Sequence, residues 1–202
     1  NAAMLGIVRF LSVVDAADVG GLPRSAFIGL GLFSVLVGAL FIVRQRGVKR
    51  LMAYSSVEHM GIMALGFGFG GPLGIAGALY HMLNHSLNKS LMFFGAGNAM
   101  RAYGTKRIGG ISQVMERLPA QGALWLAGAA AITGAPPFGL FLSELAILRA
   151  GFRGGYAWIA WAMALLLIVI FIGFLNHFRI MYFEETEGGK SPATPSLWCI
   201  AP

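Results

Sequence analysis

His81, His85 and Lys89 follow one another at intervals of four residues. On a helix such steps overshoot a full turn by only about 40°, so the three side chains share one face over about 12 Å of axis. Asn84 and Asn88 fill the same stripe, and the run from Tyr80 to Ser90 lays a polar ribbon along an otherwise apolar helix. Proton relay needs titratable groups within reach of each other or of one bridging water. Histidine titrates nearest neutrality, and a lysine taken out of water can release its proton in the same range. The bland alternative is a helix-end lysine snorkelling to an interface. Lys89 instead lies near the middle of its apolar run, with eleven mostly apolar or small residues still to come. Two histidines at i, i+4 also suit zinc, but no Cys or carboxylate follows at ligand spacing, so no metal site is expected.

A second ionisable group is Glu144, which follows Gly134-Ala135-Pro136-Pro137-Phe138-Gly139. Pro136 and Pro137 remove two backbone donors and clash with the preceding turn, and Gly134 precedes them. Freed carbonyls and amides are tolerated at membrane depth only where they line a cavity or water path. A carboxylate beside such a break is a natural gate. Free carbonyls are expected around residues 131–133. Glu58 and His59 form a third candidate, about two turns into their own apolar run. They suit a proton entry, or they satisfy each other and the hydroxyls of Ser55 and Ser56. His177 reads as an interfacial residue at a helix end.

These groups are positioned by long apolar segments. The chain has 202 residues, of which 57% are hydrophobic and 11% charged. Soluble domains carry about 25% charged residues, which excludes a soluble globular protein; disorder is excluded by the same hydrophobicity. About 20 apolar residues make one membrane span, and five runs qualify: 25–43, 51–69, 72–100, 118–148 and 154–178. The fourth holds 31 residues, about 46 Å as one straight helix against a hydrocarbon core of about 30 Å, which together with the two prolines predicts a discontinuous helix. The fold class is therefore an all-α polytopic membrane protein. Residues 1–14 read as the tail of a truncated helix, 24–183 as the transmembrane unit, and 184–202 as a loop leading to a missing helix. The chain begins at Asn1 without an initiator Met, and an internal piece of a longer protein is expected. Its single cysteine, Cys199, allows no internal disulfide.

The net charge is +7. The basic residues sit between apolar runs, which points to membrane topology and not to nucleic acid. Ten Lys and Arg fall in 44–50, 101–117 and the segment after 178, against three (Arg24, Arg149 and Arg153) on the opposite side. The positive-inside rule then places the first two loops in the cytoplasm.

Three stretches carry a resemblance. Lys49-Arg50-Leu51-Met52-Ala53-Tyr54-Ser55-Ser56-Val57-Glu58-His59-Met60-Gly61, the His81–His85–Lys89 helix running on to Phe94, and Gly134 to Glu144 occur in this order. They resemble the antiporter-like proton-conducting membrane subunits, a family that includes the pump subunits of respiratory complex I, the Mrp cation/proton antiporters, and membrane subunits of hydrogenase-4 and formate hydrogenlyase. Ser56 to Gly61 and Asn84 to Lys89 are worded most like the hydrogenase-4 branch of that family. The resemblance implies a five-helix antiporter-like repeat, the second of two inverted repeats, with one discontinuous transmembrane helix. Lys89 then matches the central proton-carrying lysine, His81 and His85 its flanking histidines, and Glu144 the exit-side ionisable residue.

The implied function is a proton-translocating membrane subunit of a respiratory-type oxidoreductase, of the hydrogenase-4, formate hydrogenlyase or NADH:quinone oxidoreductase type. The alternatives are a component of a Na+/H+ antiporter without redox coupling and a non-conducting membrane scaffold. No cofactor is expected in this chain; iron–sulfur, nickel or flavin centres belong to partner subunits. The expected partners are other membrane and hydrophilic subunits, protons or Na+, and the lipid bilayer, with no nucleic acid. The expected location is the bacterial inner membrane.

Overall fold

The computed structural model describes residues 2–16 and 21–184, without the side chains of Asp15 and Leu22. Of the expected loop at 184–202, everything after Glu184, Cys199 included, lies outside the described residues. Among the described residues eight α-helices follow one another: α1 Ala2–Ala16, α2 Leu22–Val43, α3 Val48–Phe69, α4 Gly71–Tyr103, α5 Val114–Arg117, α6 Pro119–Ile132, α7 Gly139–Arg153 and α8 Ala157–Phe183. A short 3-10 turn covers Ile108–Gly110. There is no β-strand among the described residues.

Prolines open three of these helices, in the first turns of α2, α4 and α6, where a missing N–H costs nothing. Pro23–Val43 and Ala157–Phe183 are long and apolar enough to cross a membrane. They are apolar on nearly every side, as lipid-facing helices are. Leu30, Phe33 and Leu40 on α2, and Trp158, Trp161 and Leu165 on α8, are exposed. The polarity of the bundle is inverted relative to a soluble core: Ser55, Glu58, His59, His81, His85, Lys89, Ser143 and Glu144 are inside. In a bilayer that is the low-energy arrangement, since unpaired polar groups facing hydrocarbon cost several kcal/mol each, roughly.

Close approach of α2 and α3 depends on missing side chains. A Cβ on Gly38 would lie 2.7 Å from the Glu58 Cβ, and one on Gly61 would lie 2.6 Å from the Gly31 carbonyl. Small residues at such seams let two backbones touch without a hydrophobic driving force between them. The two basic loops meet at one end of the bundle. Val48 N–H donates to the Lys106 carbonyl at 3.1 Å, and Ile108 N–H donates to the Arg46 carbonyl at 2.9 Å.

Between α6 and α7, residues 133–138 leave the helical path. Trp125 packs edge-on against Phe178 with ring centroids 5.2 Å apart, and the Tyr182 hydroxyl donates to the Gly122 carbonyl at 2.7 Å. These contacts hold the short α6 against α8. The carbonyls at the end of α6 are better satisfied than the prolines suggest. The expected free carbonyl of Ala131 accepts the Gly134 N–H at 3.3 Å, and that of Ala130 accepts the Ala135 N–H at 3.2 Å. The chain turns back on the last turn of α6 before Pro136 intervenes. At the far end α7 runs on past Leu148 to Arg153, and the following helix starts at Ala157 because Gly154 and Gly155 form the turn.

His177 departs from its expected interfacial position. It is buried, and its Nε2 lies 2.7 Å from the Ile42 carbonyl on α2. The helix continues to Phe183, so His177 lies inside it and donates to the end of α2, where carbonyls lack intrahelical partners.

Candidate functional site

The six ionisable residues singled out in the sequence come from three helices. Glu58 and His59 are on α3, His81, His85 and Lys89 on α4, and Glu144 on α7, and all six are buried. The polar face of α4 turns toward α3, so the four-residue spacing becomes a buried column.

Lys89 is 8% exposed, which is incompatible with snorkelling. Its Nζ donates to the Met52 carbonyl at 2.8 Å and to the Ser55 hydroxyl. Ser55 and Ser56 both donate to that same Met52 carbonyl at 3.2 Å. Glu58 is the carboxylate that acts electrostatically on Lys89, and Glu58 in turn feels Glu144. Oε2 of Glu58 is buried without a hydrogen-bond partner. Lys89, Glu58 and Glu144 thus lie near enough across α4, α3 and α7 to influence one another electrostatically.

The histidines form a separate chain. His59 Nδ1 lies 2.9 Å from His81 Nε2, and His81 Nδ1 lies 2.8 Å from the Ser143 hydroxyl. His85 stacks beside His59 with ring centroids 4.8 Å apart, yet neither of its ring nitrogens makes a hydrogen bond. So the structure brings His59 and His81 together directly and leaves His85 between the histidine chain and Lys89 without a bonded partner. His59 does not pair with the Ser55 or Ser56 hydroxyls, because those serve Met52 and Lys89.

Ser143 stood in the sequence only as part of the Gly134 to Glu144 stretch and carried no chemical signal of its own, since a serine in an apolar run titrates nowhere near neutrality. Its adjacency to Glu144 was the available hint. Asn88, one residue off the lysine, donates to the Gly128 carbonyl on α6 at 3.0 Å, tying α4 to the segment before the break. Along the same face, Asn84 and Asn88 line a cavity of about 300 Å³ with Gly128 and Gly139.

Glu144 sits against the interruption. Gly134 has φ +68°, and a Cβ there would collide with the Glu144 carboxylate. A second cavity of about 280 Å³, lined by Thr133, Gly134, Glu144, Leu167 and Phe171 among others, opens beside it. Gly134→Ala is expected to suffer twice: left-handed backbone in an L-residue costs about 1–2 kcal/mol, and the new methyl must push the carboxylate aside. Gly104 has φ +64° with nothing within 4 Å of its Cβ position, so Gly104→Ala carries only the backbone cost. Thermal unfolding should show the larger fall for Gly134→Ala, and proton flux should fall in that variant alone. Equal effects of the two substitutions would mean that the Glu144 carboxylate does not depend on Gly134.

His59, His81 and Glu144 each bring one ligand atom within 4.8 Å of the others. The carboxylate that local spacing could not supply thus arrives from α7. However, His59 and His81 are already engaged with each other, Nδ1 of the first 2.9 Å from Nε2 of the second. Chemically the cluster is one that can hold and pass protons: a lysine, two carboxylates and three imidazoles, all buried, with hydroxyls and one free carboxylate oxygen between them.

A model of the transmembrane family described as NADH:quinone oxidoreductase/Mrp antiporter matches residues 1–173. A hydrogenase-4 component F homolog of Methylacidiphilum infernorum is 35% identical over 192 residues, covering 95% of this chain and 40% of that protein. NADH-quinone oxidoreductase subunit N of Xanthomonas euvesicatoria pv. vesicatoria is 32% identical over 167 residues, 82% of this chain and 34% of its own length. Among solved structures, the Mrp complex from Dietzia sp. DQ12-45-1b superposes with TM-score 0.85 at 22% identity, covering 94% of this chain and 35% of that one. Respiratory complex I from Thermus thermophilus with bound NADH gives TM-score 0.77 at 28% identity, over 86% of this chain and 36% of that one. The chain thus spans two fifths or less of the length of these relatives.

Proposed function

The chain belongs to the NADH:quinone oxidoreductase/Mrp antiporter transmembrane family, and from that membership we propose that it forms one half of a proton path in a membrane subunit of a respiratory-type oxidoreductase. The hydrogenase-4, formate hydrogenlyase and NADH:quinone oxidoreductase types are the intended class. The observation that carries this reading is the burial of Glu58, His59, His81, His85, Lys89 and Glu144 in one cluster inside an apolar helical bundle. Intramembrane ionisable residues are costly, and they mark ion pathways. Lys89, His81 and His85 hold the proton near mid-path, Glu58 and His59 feed it, and Glu144 beside the interruption at Gly134, Pro136 and Pro137 is the exit. That interruption is read as the discontinuous helix of a five-helix repeat. Redox centres belong to partner subunits, and the location is the inner membrane of a bacterium.

A second reading, cation/proton antiport without electron transfer, is favoured by the position of Glu144 at the C-terminal end of α6. Helix C-termini carry partial negative charge and suit small cations. The two are separated in inverted vesicles. The redox reading expects acidification driven by an electron donor, undiminished when Na+ is replaced by K+, and co-purification with iron–sulfur subunits. Na+-driven proton exchange with no donor present, and no redox partner retained, overturns it in favour of antiport.

A further inference from the structure

The Ser143 hydroxyl has one proton and makes two contacts. It lies 2.7 Å from the Leu140 carbonyl and 2.8 Å from His81 Nδ1. A carbonyl only accepts, so the hydroxyl proton goes to Leu140, and Ser143 must accept a proton-bearing Nδ1–H from His81. With its Nδ1 protonated, a neutral His81 has a bare Nε2. That nitrogen lies 2.9 Å from His59 Nδ1, which must therefore be the donor. His59 Nε2 is then bare as well, and it is buried without a hydrogen-bond partner. Each assignment follows from the one before, and the whole chain is fixed from its Ser143 end.

We propose that Ser143 is a positioning residue that holds both imidazoles as Nδ1–H tautomers and so gives the His59–His81–Ser143 chain a single direction. This rests on the proton-path reading and adds the residue that polarises the path. A proton reaching this chain finds one vacant lone pair, at His59 Nε2. Its arrival there lets the His59 Nδ1 proton move to His81 Nε2. Only N–H bonds form and break, and the positive charge passes from His59 to His81. His81 then stands as an imidazolium with Glu144 close by, one carboxylate oxygen lying within 4.8 Å of the ligand nitrogens of the two rings. Without the serine hydroxyl, His81 Nδ1–H has no acceptor. The Nε2–H tautomer then becomes the satisfied one, donating to His59 Nδ1. His59 in turn carries its proton on Nε2. The chain is reversed, and its vacant lone pair moves from His59 Nε2 to His81 Nδ1.

The test uses the whole membrane complex with this chain labelled by 15N-histidine; only four histidines need assignment. Magic-angle-spinning spectra of the parent should show His59 and His81 protonated at Nδ1. Ser143→Ala should move both to Nε2–H and slow proton translocation by roughly tenfold to a hundredfold, the order that a misplaced transfer partner costs. Ser143→Thr keeps the hydroxyl and should restore both tautomers and rate. Nε2–H forms in the parent overturn the proposal. So does a Ser143→Ala variant that pumps slowly with its tautomers unchanged, since that is a packing effect, or one that changes its tautomers yet pumps at the parental rate. Lys89→Met measured in parallel separates the two ideas: normal pumping there sinks the proton-path reading, while the spectra still judge Ser143.

Discussion

Lys89→Met leaves the chain inserted and assembled and lowers proton translocation in vesicles by roughly a hundredfold or more, the scale on which a positioned acid–base group contributes. Methionine keeps the length and apolar volume of the stem while removing the ammonium. What is lost on packing grounds is small: two donor contacts, to the Met52 carbonyl and the Ser55 hydroxyl. Both acceptors remain partnered, because Ser55 and Ser56 still donate to Met52. Lys89→Arg is the sharper half of the experiment. Arginine supplies a permanent positive charge and more donors than lysine, so a structural lysine would tolerate it. A relay would not, because a guanidinium is effectively never deprotonated in proteins. Translocation should therefore fail in both variants. An Arg variant that pumps at the parental rate makes Lys89 a fixed counter-charge and removes it from the path.

What the sequence makes legible here is local. The His81–His85–Lys89 face follows from helix periodicity alone, and α4 presents it to α3 as one column. The interruption near Gly134, Pro136 and Pro137 follows from backbone chemistry, and helix is absent from residues 133–138. What was not legible is which partner each group finds across helices, since that is set by rotation and register between segments far apart in sequence. Glu58 and His59 illustrate this. As neighbours on a helix they point about 100° apart. One packs against Gly38 and acts on Lys89 only through space, and the other meets His81 and His85. Ser143 was invisible for a different reason: its role lies in one hydroxyl proton, and no composition or spacing rule registers that. His177 misled because apolar runs end where charges begin, whereas the helix itself continues another turn and a half through Arg179 to Phe183.

Glu58→Gln tests whether the two halves of the cluster work as one. Glu58 is buried, one of its carboxylate oxygens has no partner, and it acts on Lys89 from α3. Neutralising it leaves a lysine held only by a carbonyl and a hydroxyl. An unpaired buried group sheds its charge rather than stay ionised in a medium of low dielectric, so the glutamine variant should pump poorly although Lys89 is intact. The double variant Glu58→Gln/Lys89→Met completes the cycle. If the carboxylate and the ammonium stabilise each other, each single change removes the same interaction, and the double change cannot remove it twice. The two losses of thermal stability should then fall short of additivity by about 0.5–3 kcal/mol, the range seen for groups in one network. Thermal unfolding of the detergent-solubilised complex measures all four corners. Strict additivity would show that Glu58 and Lys89 do not interact energetically, and proton entry would have to reach Lys89 by way of His85. His85 lies next to His59 with both ring nitrogens unpartnered, so that route requires a water or a ring rotation to bridge it. A slower but surviving flux in Glu58→Gln, abolished by adding His85→Gln, would identify it.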